Sequence, residues 1–316
     1  MVTPYNIDMD YIDILNTTPL QRSWGTIGAF DGVHLGHQTL FKKLTEEAKE
    51  EGCQTFAITF DPLPALFFKR IKRDHILSPV KERVARIKAM GIHTVIVLPF
   101  DQNLANVPAD VFMSEIKRAL GLEKLLTGFN FTLGKDHAGT VSVLKEIGHA
   151  LNFELEVLPP VRHGQEIISS SNIRKLLKNG EVAKAALFLG RPYALRGRVV
   201  HGEHRGSKIG FPTANLAIAP ERLLPANGVY AAIAHINQHT YTAVTNVGVR
   251  PTFENSLAYP RVEPYLLDTN EQFYRKTMTL EFIEYLRPEI KFPNSQALTE
   301  QIQKDILRTK EILHYG

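Results

Sequence analysis

Cysteine is almost missing from this chain: Cys53 is the one thiol in 316 residues. That excludes a disulfide framework and any cluster of cysteines around a metal. Cys53 follows Gly52 at the start of an apolar run and reads as a small buried thiol in a reducing compartment. Long apolar runs are missing too, so nothing approaches the length needed to cross a bilayer. The first residues, MVTPYNIDMDYIDIL, carry acidic groups where a secretion signal carries basic ones. The expectation is a cytoplasmic protein without membrane contact. Nor does charge of one sign dominate: Lys plus Arg is 37 against 33 for Asp plus Glu, a net +4 spread along the chain. No dense basic run with interleaved aromatics marks a nucleic-acid footprint. A mild excess of this kind fits a protein that handles phosphorylated ligands. Finally, no G-x-x-x-x-G-K-[ST] segment occurs, which excludes a Walker-type phosphate cradle.

What is present suits two domains. The length exceeds one ordinary core, and 44% apolar with 22% charged residues is the balance of a folded globular protein. Up to about residue 189, short β runs at 23–30, 55–60, 94–100 and 153–158 alternate with amphipathic helical stretches such as 37–50 and 79–91. Strand–helix alternation implies an α/β fold, a mostly parallel sheet with helices on both faces and ligands beyond the carboxyl ends of its strands. From about 190 the β runs LRGRVV, GVYAAIAHI, TYTAVTNVGV, VEPYLLD and KTMTLEFIEYL follow one another without helices, as in a small antiparallel β-barrel. A final amphipathic helix is expected over about 294–313. The stretch LGRPYALRG, with Gly190, Pro192 and Gly197, marks the boundary, giving domains 1–189 and 190–316.

Two segments carry chemistry. Gly28 to His37 (GAFDGVHLGH) leave an apolar strand and enter a helix. Gly28, Gly32 and Gly36 permit a sharp turn and close approach of a ligand to the main chain. The helix start favours phosphate, and His34 and His37 add donors for negative charge that builds during displacement at phosphorus. Further on, Ser170 and Ser171 are placed to cap a helix whose first turn, with Arg174, makes a second anion clamp. Alone, three serines before a helix are an ordinary cap. In the second half, Gly202, Gly206 and Gly210 surround Arg205 and Lys208, a loop suited to cradling phosphate. Pro212, Thr213, Ala214 and Asn215 follow it directly. On the residues alone the reading stops at a two-domain ATP-handling enzyme with two phosphate sites.

The order of these motifs resembles the bacterial bifunctional riboflavin kinase/FMN adenylyltransferase (FAD synthetase) family over nearly the whole chain. G-x-F-D-G-x-H-x-G-H is similar to the nucleotidylyltransferase signature of that family, and Ile168 to Arg174 (ISSSNIR) to its partner motif. GFNFTLGKDHAGT (128–140) resembles the family's flavin- and nucleotide-holding segment, with Asn130 as the polar contact. The resemblance implies a Rossmann-like nucleotidylyltransferase domain in which Gly28, Phe30, Asp31, Gly32, Gly36, Asn130, Ser170, Ser171 and Arg174 bind ATP or flavin. It implies a riboflavin kinase barrel in which Gly202, Arg205, Gly206, Lys208, Gly210, Pro212 and Ala214 bind ATP or flavin, Thr213 and Asn215 hold Mg2+, and Glu263 is general base. His34 and His37 would be catalytic in the first domain. ATP is then co-substrate, with riboflavin, FMN and FAD as substrate or product. Two departures fall in the first half: Leu63 stands where the family has a His, and Ile167 where a basic residue is common. Both remove phosphate contacts. A third, Arg275 for a family Gly, alters a turn. Two alternatives stay open at this stage. One activity alone is retained, the kinase before the adenylyltransferase, or the chain is a flavin-binding regulator without turnover. The sequence sets no oligomeric state.

Overall fold

The protein is described from a computed structural model covering residues 10–201, 210–249, 260–269 and 271–313. It falls into two compact units, Met1–Ser170 and Ser171–Gly316.

In the first unit α1 (Tyr11–Asn16) precedes β1 (Ser23–Ile27), α2 (Leu35–Glu50), β2 (Gln54–Asp61), α3 (Pro64–Phe67), α4 (Val80–Ala89) and β3 (Thr94–Pro99). Then come α5 (Gln102–Ala105), α6 (Ala109–Leu120), β4 (Leu122–Gly128), α7 (Val141–Leu151), β5 (Glu154–Leu158) and a short hairpin, β6 (Arg162–His163) with β7 (Glu166–Ile167). The main sheet is parallel throughout, in the order β3-β2-β1-β4-β5. Both faces are covered at its β2 and β3 strands, which is why those two are apolar runs and not alternating ones. Phe56, Ile58, Ile96 and Leu98 face one layer, with Ile14, Phe112, Met113 and Ile116 of α1 and α6. The intervening Ala57, Val95 and Val97 face the other, with Phe41, Leu44, Val84 and Ile87 of α2 and α4. The order reverses between β1 and β4, and that switch point is where ligands enter doubly wound sheets. The strand expected over 23–30 stops at Ile27, because Phe30 takes a positive φ of 48° that no strand residue adopts.

Helix α8 (Ser170–Lys178) starts on the last residue of the first unit; the second unit opens with the rest of it, followed by α9 (Val182–Leu189). Its strands are β8 (Tyr193–Val200), β9 (Asn215–Ala217), β10 (Gly228–Ile236), β11 (His239–Val249), β12 (Pro260–Leu266) and β13 (Thr277–Arg287), with α10 (Ser295–Ile312) last. They form one antiparallel sheet, β12-β11-β10-β13-β8-β9. Its two ends meet where the Ala214 N–H donates to the Pro264 carbonyl at 2.9 Å, so the sheet is a near-closed barrel. Helix α10 packs on β10, β11 and β13. Arg287 and Asp305 clamp it there in a bidentate pair of 2.7–3.1 Å.

Candidate functional site

The first site grows from the turn between β1 and α2. Its backbone is costly at Phe30 and Val33, which sit at φ of 48° and 42°, a region poorly suited to a β-branched residue, while Gly32 between them takes 83° freely. Asp31 holds the turn in place. Its carboxylate, 1% exposed, accepts from the Ser78 N–H at 2.9 Å and the Leu77 N–H at 3.1 Å. The Gly32 N–H donates to Ser78 Oγ at 2.8 Å. From the far end of the unit, the Ser170 hydroxyl donates to the Asp31 carbonyl at 2.8 Å. Ser170 was expected to cap α8, but it lies inside the first turn of that helix and ties the two motifs together instead. A Cβ on Gly28 would stand 2.8 Å from the Phe30 ring, so only glycine lets that ring fold back.

His34 occupies the N-cap of α2 and makes no side-chain cap bond, so no side chain of the cap covers the donors of the first turn. The His34 and His37 rings stack with centroids 3.6 Å apart, and the edge of Phe30 meets His37 at 5.2 Å. Burial, then His34, then the Arg83 guanidinium push the His37 imidazole well below its ordinary value, so it is neutral near pH 7. Arg83 is itself 1% exposed and donates to the Phe60 carbonyl at 2.5 Å.

A cavity of about 480 Å3 is lined by Gly28, Phe30, His34, Gly36, His37, Asn130 and Ser170 from the expected set. Asp31 and Gly32 do not line it and act behind it. Ser171 and Arg174 lie in the opening turns of α8. Two further lining residues, Arg70 and His137, are paired at 2.8 Å. A guanidinium only donates, so His137 Nε2 accepts and its Nδ1–H faces Thr132 Oγ1, 3.1 Å away. Arg70 escaped the sequence reading; its one signal is the basic stretch KRIKR after α3. Of the departures, Ile167 lines this cavity, whereas Leu63 is 2% exposed and belongs to the core.

The second site lies in the barrel. A cavity of about 590 Å3 is lined by Thr213 and Glu263 together with Asn246, Tyr265, Arg287 and Glu289. The bond from Ala214 to Pro264 seats the P-T-A-N segment beside Glu263. Asn215 opens β9, Gly210 turns at φ 86°, and Pro212 is exposed. Arg261 donates to the Glu263 carboxylate at 3.3 Å. Gly202, Arg205, Gly206 and Lys208 lie outside the described residues.

A doubly wound α/β unit with H-x-G-H at its switch point, followed by a barrel that brings P-T-A-N to a glutamate, defines a two-site ATP-dependent transferase. Comparison with known proteins gives the family. Residues 17–172 match the FAD synthetase family and 189–313 the riboflavin kinase family. The chain is 35% identical to the bifunctional riboflavin kinase/FMN adenylyltransferase of Bacillus subtilis, over 90% of each chain. It is 32% identical to that of Listeria monocytogenes, over 88% of each. A crystal structure from Streptococcus pneumoniae, described as a macrolide-efflux protein, superposes with a TM-score of 0.85 at 30% identity, covering 92% of this chain and 94% of the other. Among the described residues here, no helix is long and apolar enough to cross a membrane. The chain belongs to the bifunctional riboflavin kinase/FMN adenylyltransferase family, which makes FMN from riboflavin and FAD from FMN with ATP.

Proposed function

We propose that each unit houses one of the two reactions, with the functional modules taken as residues 1–189 and 190–316. One observation carries this reading: Glu263 with Thr213, and His34 with His37, line separate cavities in separate units. In the barrel, the terminal ribityl hydroxyl of riboflavin attacks the γ-phosphorus of ATP. Its proton passes to the Glu263 carboxylate, the bond to the β-phosphate oxygen breaks, and FMN and ADP result. Thr213 and Asn215 would hold Mg2+: the Thr213 hydroxyl shares the cavity with the Glu263 carboxylate and Asn215 follows at the start of β9, oxygen donors of the kind that suit a hard cation shared with substrate phosphates. When bound, that ion supplies charge neutralisation at the phosphates.

In the α/β unit, a phosphate oxygen of FMN attacks the α-phosphorus of a second ATP and pyrophosphate leaves, giving FAD. The substrate supplies the nucleophile, so the protein's work is orientation and charge stabilisation. The neutral His37 ring and His34 offer N–H donors to the phosphate oxygens from the stacked pair. The first-turn amides of α2 lie beside them. Asn130 and Ser170 face the same space. Asp31 is spent on shaping the turn. Substrates of this kind and a single buried thiol fit a cytoplasmic enzyme without nucleic-acid or membrane partners.

The test is a paired assay on purified protein, with riboflavin plus ATP in one arm and FMN plus ATP in the other. FAD formation in the second arm supports two working sites. FMN that accumulates without FAD in both arms leaves only the kinase.

A further inference from the structure

The kinase cavity contains a second carboxylate to which the reading above gives no task. Asn246 of β11 and Glu263 of β12 are direct cross-strand partners, and both face the cavity. Two positions along the same face of β11 lies Gly248, opposite Arg261. The Glu289 carboxylate rests over Gly248 so closely that a Cβ there would stand 2.3 Å from Glu289 Oε1. From that seat Oε1 accepts from Asn246 Nδ2 at 3.2 Å. An ionised carboxylate cannot donate, so the contact fixes which way the Asn246 amide faces. Its nitrogen turns to Glu289, leaving its oxygen as the acceptor on the other side. Glu289 follows Arg287 by two residues, and Arg287 is held to Asp305, which anchors the backbone carrying the carboxylate.

We propose that Glu289 is a positioning residue of the kinase reaction, holding Asn246 so that its amide oxygen and the Glu263 carboxylate present adjacent acceptors to the hydroxyl chain of the flavin substrate. Residues directly opposite on neighbouring strands have Cβ atoms about 5 Å apart. That spacing suits neighbouring hydroxyls of a polyol, one the attacking group and one a handle that fixes its direction. Gly248 belongs to the device because only a residue without a side chain leaves room for the carboxylate. The inference rests on Glu263 as the kinase base.

The test compares Glu289→Ala, Glu289→Gln, Gly248→Ala and the Glu289→Ala/Gly248→Ala double variant in the full chain. Misdirecting the attacking group costs up to about a hundredfold in turnover. Glu289→Ala is expected to lower the kinase kcat about tenfold or more, with KM for ATP unchanged within about twofold. Gly248→Ala pushes the carboxylate off its seat without deleting it and is expected to do the same, with no further loss in the double variant. Glu289→Gln keeps an oxygen acceptor and is expected to recover most of kcat. FMN adenylylation, made in the other unit, reports intact protein in every case. A wild-type kcat in Glu289→Ala, a raised riboflavin KM at unchanged kcat, or additive losses in the double variant would overturn the inference. Glu263→Ala separates the two levels: kinase activity surviving in it sinks the site reading, whereas its loss beside normal Glu289 variants sinks only the role of Glu289.

Discussion

The hydroxyl of Ser170 donates to the carbonyl oxygen of Asp31 at 2.8 Å, joining two motifs that are 139 residues apart in sequence. Asp31 in turn spends its carboxylate on the amides of Leu77 and Ser78. The turn that presents His34 is therefore held from two sides, which offsets the positive φ at Phe30 and Val33. Ser170→Ala removes one neutral bond worth about 1 kcal/mol. FMN adenylylation is expected to fall by about fivefold, with riboflavin phosphorylation unchanged. Asp31→Ala strands two buried amides and is expected to cost about 3 kcal/mol or more, read as a lowered urea midpoint. An unchanged midpoint in Asp31→Ala would refute this account of the turn.

His37 carries both a rate and a pH dependence. Removing one well-placed donor to a developing negative charge costs about 10²–10³ in kcat. His37→Ala is expected to lose FAD formation on that scale while keeping FMN formation. The fold holds the imidazole well below its ordinary pKa of 6.5, so the unfolded chain binds the proton more readily. The stabilising contribution is complete above about pH 6.5 and is lost as pH falls through the depressed folded value. Urea unfolding between pH 8 and 5 is expected to show a steeper acid loss in the wild type than in His37→Asn. Parallel curves would count against the neutral ring.

Glu263→Ala is expected to lower riboflavin phosphorylation by about 10²–10⁴, the usual worth of a general base, and to leave adenylylation of FMN intact. Loss of both activities would mean that the two cavities do not act separately.

Ile167 lines the first cavity, at the position where the family resemblance led us to expect a basic residue. A Lys there gains a charge-assisted contact to phosphate, while Ile gains only apolar contact. Ile167→Lys is expected to lower the ATP KM of adenylylation by roughly three- to tenfold, about 1 kcal/mol in a part-exposed setting. The ATP KM of the kinase arm is the control. A KM unmoved in the adenylylation arm shows that position 167 does not meet the triphosphate. Leu63 is different. Its side chain is core, so Leu63→His buries a polar group and is expected to lower stability without helping catalysis.

How much of this was legible in the sequence depends on what each residue does. GAFDGVHLGH and P-T-A-N stand out because turning glycines, helix-start imidazoles and hard oxygen donors are rare together, so local pattern suffices. Strand β4 was not legible. LEKLLTG carries Glu123 and Lys124 among leucines, which suggests no strand. It works because Lys124 finds Glu47, Glu154 and Glu156 at 2.7–3.5 Å and the Trp24 ring at 4.7 Å. Arg70, Asn246 and Glu289 share that difficulty. Each acquires its place only when segments far apart close around a cavity, and nothing in their immediate neighbours signals it. The family resemblance supplied Glu263, whose meaning comes from facing Asn246 and from the Ala214 bond that brings Thr213 near.

The clamp between Arg287 and Asp305 links the barrel's stability to its chemistry. Asp305 is 4% exposed and takes three contacts from one guanidinium. Deleting one partner of such a pair leaves an uncompensated buried charge, which costs about 3–5 kcal/mol. Asp305→Ala is therefore expected to lower the temperature at which kinase activity is lost, while adenylylation in the other unit survives to the wild-type temperature. Leu298 and Ile302 of the same helix line the kinase cavity, so loosening α10 is also expected to raise the riboflavin KM below that temperature. Replacing both partners by apolar residues of similar size removes the stranded charge, and such exchanges are often neutral or stabilising. Arg287→Met/Asp305→Leu is expected to restore the thermal midpoint. It should not restore kcat if Arg287 also anchors the backbone that carries Glu289. Full recovery of both would show that the clamp serves stability alone.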